Sequence, residues 1–163
     1  MRPSAATDPC VAYLLRHGAT DSNLAFPPIL QGRAIDGPLS ETGREQARLA
    51  SECLAHLAIS AIYASPLRRA QETAAAIGAA RGIPTITIEA ITEVDVGDWE
   101  RRSWVEIEQN EPEAFANFQR DPARFGYRNG ESFTQVAERV VPAIQSILEQ
   151  HASETIVIVG HNV

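Results

Sequence analysis

Apolar and polar positions along this chain follow two rhythms. Unbroken or nearly unbroken apolar runs occupy residues 11–15, 61–63 and 155–159, and residues 85–88 are β-branched throughout. Runs of that length, bounded by Gly, Pro or polar residues, are the pattern of strands in a parallel sheet covered on both faces. Between them the period lengthens. Ala47, Ala50, Cys53, Leu54 and Leu57 recur at helical spacing behind Thr42 and Glu45, which fit a capping box. Residues 67–80 form an alanine-rich helix stopped by Gly82 and Pro84. Residues 103–120 read as one or two short helices interrupted near Pro112. Ser132 and Gln135 make a second capping box, after which Val136, Val140, Ile144 and Ile147 share one helix face and Pro142 predicts a kink. Residues 26–38 and 121–130 read as loop, and residues 91–102 have no clear period.

Strands that alternate with helices predict an α/β fold, a three-layer sandwich whose central sheet is mostly parallel and flanked by helices. The length, 163 residues, suits a single domain over residues 1–163 with a substantial core. No repeat or linker divides it. The chain stops directly after an apolar strand and a histidine, where a covering helix is expected, so a C-terminal truncation is expected too. Apolar residues make up 44% and charged residues 21%, the balance of a soluble globular protein. The net charge of −7 argues against nucleic acid or an anionic membrane as partner. Neither Cys10 nor Cys53 has metal-site or disulfide spacing, which predicts reduced thiols and a cytoplasmic location. The N-terminal residues lack the apolar core of a signal peptide.

Candidate chemistry gathers where the strands end. The first strand runs into Arg16-His17-Gly18, and the last into Gly160-His161. If the two strands are parallel neighbours, both imidazoles reach the same sheet edge, where open α/β sheets bind ligands. The second strand leads to Ser65-Pro66-Leu67-Arg68-Arg69, at a helix N-terminus that already attracts anions. The loop after the third strand offers Glu93, with Asp95 and Asp98 nearby. Two histidines, arginines that cannot lose their charge and a carboxylate suit phosphoryl transfer through a histidine nucleophile, with no metal required. On these grounds alone either Arg68 or Arg69, and any of the three acidic residues, could serve.

Five motifs in order then carry a resemblance. Arg16, His17, Gly18, Thr20 and Asn23 fit Arg-His-Gly-x-Thr-x-x-Asn. Pro38, Leu39, Ser40, Gly43, Gln46 and Ala47 fit a second motif, and Ser65, Leu67, Arg69, Ala70 and Thr73 a third. Glu93, Gly97, Trp99 and Glu100 fit a fourth, and Gly160-His161 a fifth. Together they span nearly the whole chain. The sequence resembles the histidine phosphatase superfamily, which includes the cofactor-dependent phosphoglycerate mutases, and its compact broad-specificity phosphatases in particular. It departs from the family pattern at Arg101, where the family has Gly, and in lacking the strand and helix expected after His161.

The resemblance implies a phosphoglycerate mutase-like fold and gives each residue a role. His17 would attack phosphorus and become phosphohistidine, and Glu93 would protonate the leaving oxygen and later accept a proton from water. Arg16, Arg69 and His161 would hold the phosphoryl oxygens. Asn23, Gln31 and Gly32 would line the phosphate or substrate side. Something must fix the tautomer of His17, and a nearby backbone carbonyl could do so. The expected partner is a small phosphorylated metabolite, with no metal and no cofactor. Three functions compete. A phosphatase gives the phosphoryl group to water. A mutase gives it to a second hydroxyl and needs 2,3-bisphosphoglycerate. A non-catalytic member only binds a phosphorylated ligand. The short stretch between Glu93 and His161 favours the phosphatase. His56 and His151 are expected at the surface, and the aromatic residues of 99–127 in packing or in a lid over the site.

Overall fold

A computed structural model of the chain describes residues 9–162. Four strands, β1 (Val11–Arg16), β2 (Ile59–Ala64), β3 (Thr85–Thr87) and β4 (Thr155–Gly160), form one parallel sheet in the order β1-β4-β2-β3. Seven helices accompany them among the described residues: α1 (Asp21–Leu24), α2 (Glu41–Cys53), α3 (Arg68–Ala79), α4 (Trp104–Asn110), α5 (Pro112–Arg120), α6 (Pro122–Phe125) and α7 (Phe133–Gln150).

The strands carry apolar side chains on both faces, and each face has its own core. Ile62 and Ala64 of β2, with Val157 and Val159 of β4, meet Ala70, Ala74 and Ile77 of α3. Their neighbours Ala61, Tyr63, Ile156 and Ile158 point the other way, onto Ile147 of α7. The result is the three-layer α/β sandwich that the alternating elements predict. A third cluster, centred on Trp99, packs Ile107 of α4, Phe118 of α5, Tyr127 and Val136 of α7 beside the sheet. Each large side chain so buried is worth about 1.5–3 kcal/mol.

Several local expectations change. β1 is not covered on both faces: among the described residues it pairs only with β4, and Leu14 is 70% exposed. The N-cap of α2 is Ser40, not Thr42. Ser40 Oγ accepts from Gly43 N at 3.1 Å while donating to Ala19 O at 2.9 Å, a long-range bond that fixes the helix start. The capping box of Ser132 and Gln135 is present as expected. The segment 121–130 holds the short helix α6, capped by Asp121. α7 continues through Pro142. Both cysteines are free, and no described helix is long and apolar enough to cross a membrane.

Candidate active site

Arg16 and Gly160 end their strands as register partners, so the residues after them leave the sheet side by side. The His17 N–H extends the ladder by one bond, to Gly160 O at 3.0 Å. The rings of His17 and His161 then meet edge-on, with centroids 5.2 Å apart. α3 starts beside them and brings Arg69, which is fully buried. Its Nε donates to His17 Nε2 at 3.2 Å, and its other nitrogens donate to Ile35 O and Gly32 O at 2.7 and 3.2 Å. Glu93 completes the group: its Oε2 lies 3.4 Å from His161 Nδ1 and 3.9 Å from Arg69 Nη2.

The loop after His17 is clamped against α2. A Cβ on Gly18 would lie 2.4 Å from Gly43 O, and one on Gly43 only 2.0 Å from Ala19 O, so neither position tolerates a side chain. Gly18 N donates to Thr73 Oγ1, and Thr73 Oγ1 donates to Arg69 O. Thus held, Gly18 O accepts from His17 Nδ1 at 2.7 Å. That bond places the proton on Nδ1 and leaves Nε2 with its lone pair.

Burial, then the charges of Arg69 and Arg16, pull the His17 pKa down to about 4, despite the opposing Gly18 bond. Burial, then Arg69, His17 and Arg16, pull His161 down to about 2. Both imidazoles are neutral at pH 7. His161 Nε2 lies 2.7 Å from Ser65 Oγ, while its Nδ1 is buried with no hydrogen-bond partner. Burial pushes the Glu93 carboxyl above the usual range, against the Val94 N–H and the arginines that favour its anion. Asp95 and Asp98 are engaged elsewhere, with Arg33 and Arg128. Arg68 pairs with Glu72 on the helix surface.

A cavity of about 250 Å³ opens in front of His17. Arg16, His17, Asn23, Gln31, Glu93 and Asn162 supply its polar lining; Ile29, Leu30, Val94, Val96, Trp104 and Tyr127 supply most of an apolar one. Thr20 orients the two amides. Its N–H donates to Asn23 Oδ1 at 3.0 Å and its hydroxyl to Gln31 Oε1 at 2.6 Å, which leaves Gln31 Nε2 buried and unpartnered. Arg69 and His161 stand behind His17 and Glu93 rather than on the cavity wall. Gly32 departs from its expected place on the substrate side. Its N–H donates to Glu100 Oε1 at 2.7 Å and its carbonyl accepts from Arg69, so it buttresses the arginine.

His17, Glu93 and His161 offer ligand atoms within 4.8 Å of one another, a nitrogen and oxygen set that divalent cations use. The Arg69 guanidinium, however, touches His17 and faces Glu93, a fixed positive charge where an ion would sit. The set fits an anion better.

Sequence reasoning missed Arg139 and Glu131. Arg139 of α7 donates to Ala90 O and Thr92 O at 2.8 Å and to Glu93 O at 3.2 Å, and pairs with Glu131. Glu131 in turn accepts from Asp95 N at 2.8 Å. Nothing local in the sequence marks a helix-face arginine as the holder of a loop some 46 residues away. Arg101, at the position where the family motif has Gly, adopts φ 65°, a conformation that suits glycine.

The sequence model of the histidine phosphatase superfamily (branch 1) matches residues 12–163. Phosphoserine phosphatase 1 of Hydrogenobacter thermophilus is 32% identical over 152 residues, 92% of this chain and 70% of its own length. Glucosyl-3-phosphoglycerate phosphatase of Mycolicibacterium vanbaalenii is 37% identical over 137 residues, 84% of this chain and 59% of its own. Among solved structures, Bacillus stearothermophilus YhfR superposes with a TM-score of 0.84 at 38% identity, over 93% of this chain and 74% of that one. The chain thus spans between 59% and 74% of the length of these proteins.

Proposed function

The chain belongs to the histidine phosphatase superfamily (branch 1), and on that premise we propose that it hydrolyses small phosphate monoesters through a phosphohistidine on His17, without a metal. The observation that carries this reading is the 2.7 Å hydrogen bond between His17 Nδ1 and Gly18 O. With Nδ1–H bound to Gly18 O, Nε2 keeps the lone pair that attacks phosphorus. Arg69, now donating to that nitrogen, would move its bond to a phosphoryl oxygen as the substrate enters. With Arg16 it would carry the negative charge spread over the equatorial oxygens, the work that a metal does elsewhere.

In the first step a bond forms between Nε2 and phosphorus, the ester oxygen leaves, and Glu93 gives it a proton. In the second, water attacks the phosphohistidine, Glu93 takes the water's proton, and inorganic phosphate departs. A carboxyl held above its usual range by burial is suited to the first task and its anion to the second. Phosphoserine and glucosyl-3-phosphoglycerate, the substrates named for the two relatives, are the first compounds to assay.

Brief incubation with a 32P-labelled ester and an alkaline quench should leave acid-labile phosphate on His17, and His17→Ala should carry none. Chelator should leave the rate unchanged. Label on the alanine variant, or activity lost in chelator and restored by a divalent cation, would overturn the mechanism. Isomerised product in excess of free phosphate would favour the mutase.

A further inference from the structure

Resting on that reading, we propose that the cavity selects esters whose alcohol is an uncharged, apolar or aromatic body, and discriminates against phosphorylated hydroxy acids and amino acids. Beyond the phosphoryl position, the lining is apolar at Ile29, Leu30, Val94, Val96, Trp104 and Tyr127, with the neutral amides of Gln31 and Asn162 beside it. Aliphatic walls with two rings offer dispersion and stacking to a flat group, while the amides offer a carboxylate hydrogen bonds but no charge.

The charges point the same way. Arg16 is the one arginine on the cavity wall among the described residues, and the phosphoryl group claims it. The remaining arginines nearby already hold carboxylates. Arg33 pairs with Asp95, Arg102 with Glu106 and Glu111, Arg128 with Asp98 and Glu111, and Arg139 with Glu131. The acid that does line the cavity, Glu93, supplies no positive charge to a second anion. A substrate carboxylate would therefore lose much of its water against largely apolar walls, with neutral amides and no free cation to replace it, an unfavourable exchange. Arg101 is the exception to test. It is exposed, and its N–H donates to Leu30 O at 3.0 Å, at the rim.

The measurement is kcat/KM for 2-phenylethyl phosphate against O-phosphoserine and 3-phosphoglycerate, all alkyl esters, so that none gains from an acidic phenol. The phenylethyl ester should lead by at least about tenfold, the lower end of what an apolar pocket distinguishes. Ile29→Arg should narrow the gap by raising phosphoserine, and Arg101→Ala should leave the ratio unchanged. Calorimetry with two stable phosphonates, 3-phenylpropylphosphonate and 2-amino-4-phosphonobutanoate, reads the same preference without turnover. Equal or better use of either acid, tighter binding of the amino acid phosphonate, or selective loss of the acids in Arg101→Ala would overturn this inference and leave the phosphatase reading standing. Absence of turnover and of labelled His17, with the phenyl phosphonate still preferred, would sink the phosphatase reading and keep the pocket's preference.

Discussion

At the scale of single residues, the site is a problem in proton placement. His17 works only if one nitrogen keeps a proton and the other lacks it. A carbonyl fixed through Thr73 and the Gly18–Gly43 contact meets that condition before any substrate arrives. Glu93 works only if its carboxyl holds a proton when the ester oxygen leaves, and burial supplies that bias. The value of a proton donor rises with the basicity of the leaving group. Glu93→Gln should therefore slow alkyl phosphates by roughly two to four orders of magnitude, the usual worth of general acid catalysis. Aryl phosphates of acidic phenols should slow far less. Steady-state rates on a matched pair of esters decide it. An equal loss on both would assign Glu93 a structural role, since Asp95 and Asp98 are held by arginines away from His161.

At the scale of elements, the site depends on how α7 holds a loop. Arg139 donates to carbonyls on both sides of Glu93 and to Glu131, so one side chain ties the residues around 90–95 to the helix face. Arg139→Met keeps much of the volume and leaves those carbonyls without their donor, a loss of about 3 kcal/mol from unsatisfied, partly buried acceptors. Denaturant unfolding measures that. The argument that Arg139 positions Glu93 makes a further demand. Alkyl ester turnover should fall roughly tenfold to a hundredfold as the carboxyl loses its aim, aryl esters should fall less, and Arg139→Lys should recover part of both. A stability loss with the alkyl-to-aryl ratio unchanged would reduce Arg139 to a structural tie. The same elements show what was legible beforehand. Strands, the helix over 67–80 and the break at Pro112 could be read because their signals are local in period or punctuation. The meeting of His17 with His161 could be read because two apolar runs ending in histidine imply it if they pair in parallel. The Ser40 cap, the buttressing role of Gly32 and the grip of Arg139 could not. Each is fixed by a partner distant in sequence and carries no pattern of its own.

At the scale of the whole molecule, a site built of neutral buried histidines acts on folding. In the unfolded chain His17 and His161 take up protons near pH 6.5; in the folded one His17 resists to about 4 and His161 to about 2. Between pH 6.5 and 4 the unfolded state therefore binds more protons, and stability must fall as pH falls through that window. Glu93 acts in the opposite sense. Its folded pKa is raised, so from its unfolded value near 4.5 up to its folded value the native state holds the extra proton, and stability falls as pH rises there. The carboxylates held low by arginine, such as Glu131, add their own acid loss only below about pH 4.5. From pH 6 to 5 the histidines and Glu93 thus dominate the exchange. Unfolding there should take up a net one to two protons, a slope of about 1.4–2.7 kcal/mol per pH unit. Urea unfolding at closely spaced pH values measures it. His17→Asn removes one titrating group from the unfolded state and should lower the uptake by about one proton. If the slope of the variant matched that of the parent, His17 would not be held neutral by the fold, and its readiness to attack phosphorus would need another cause.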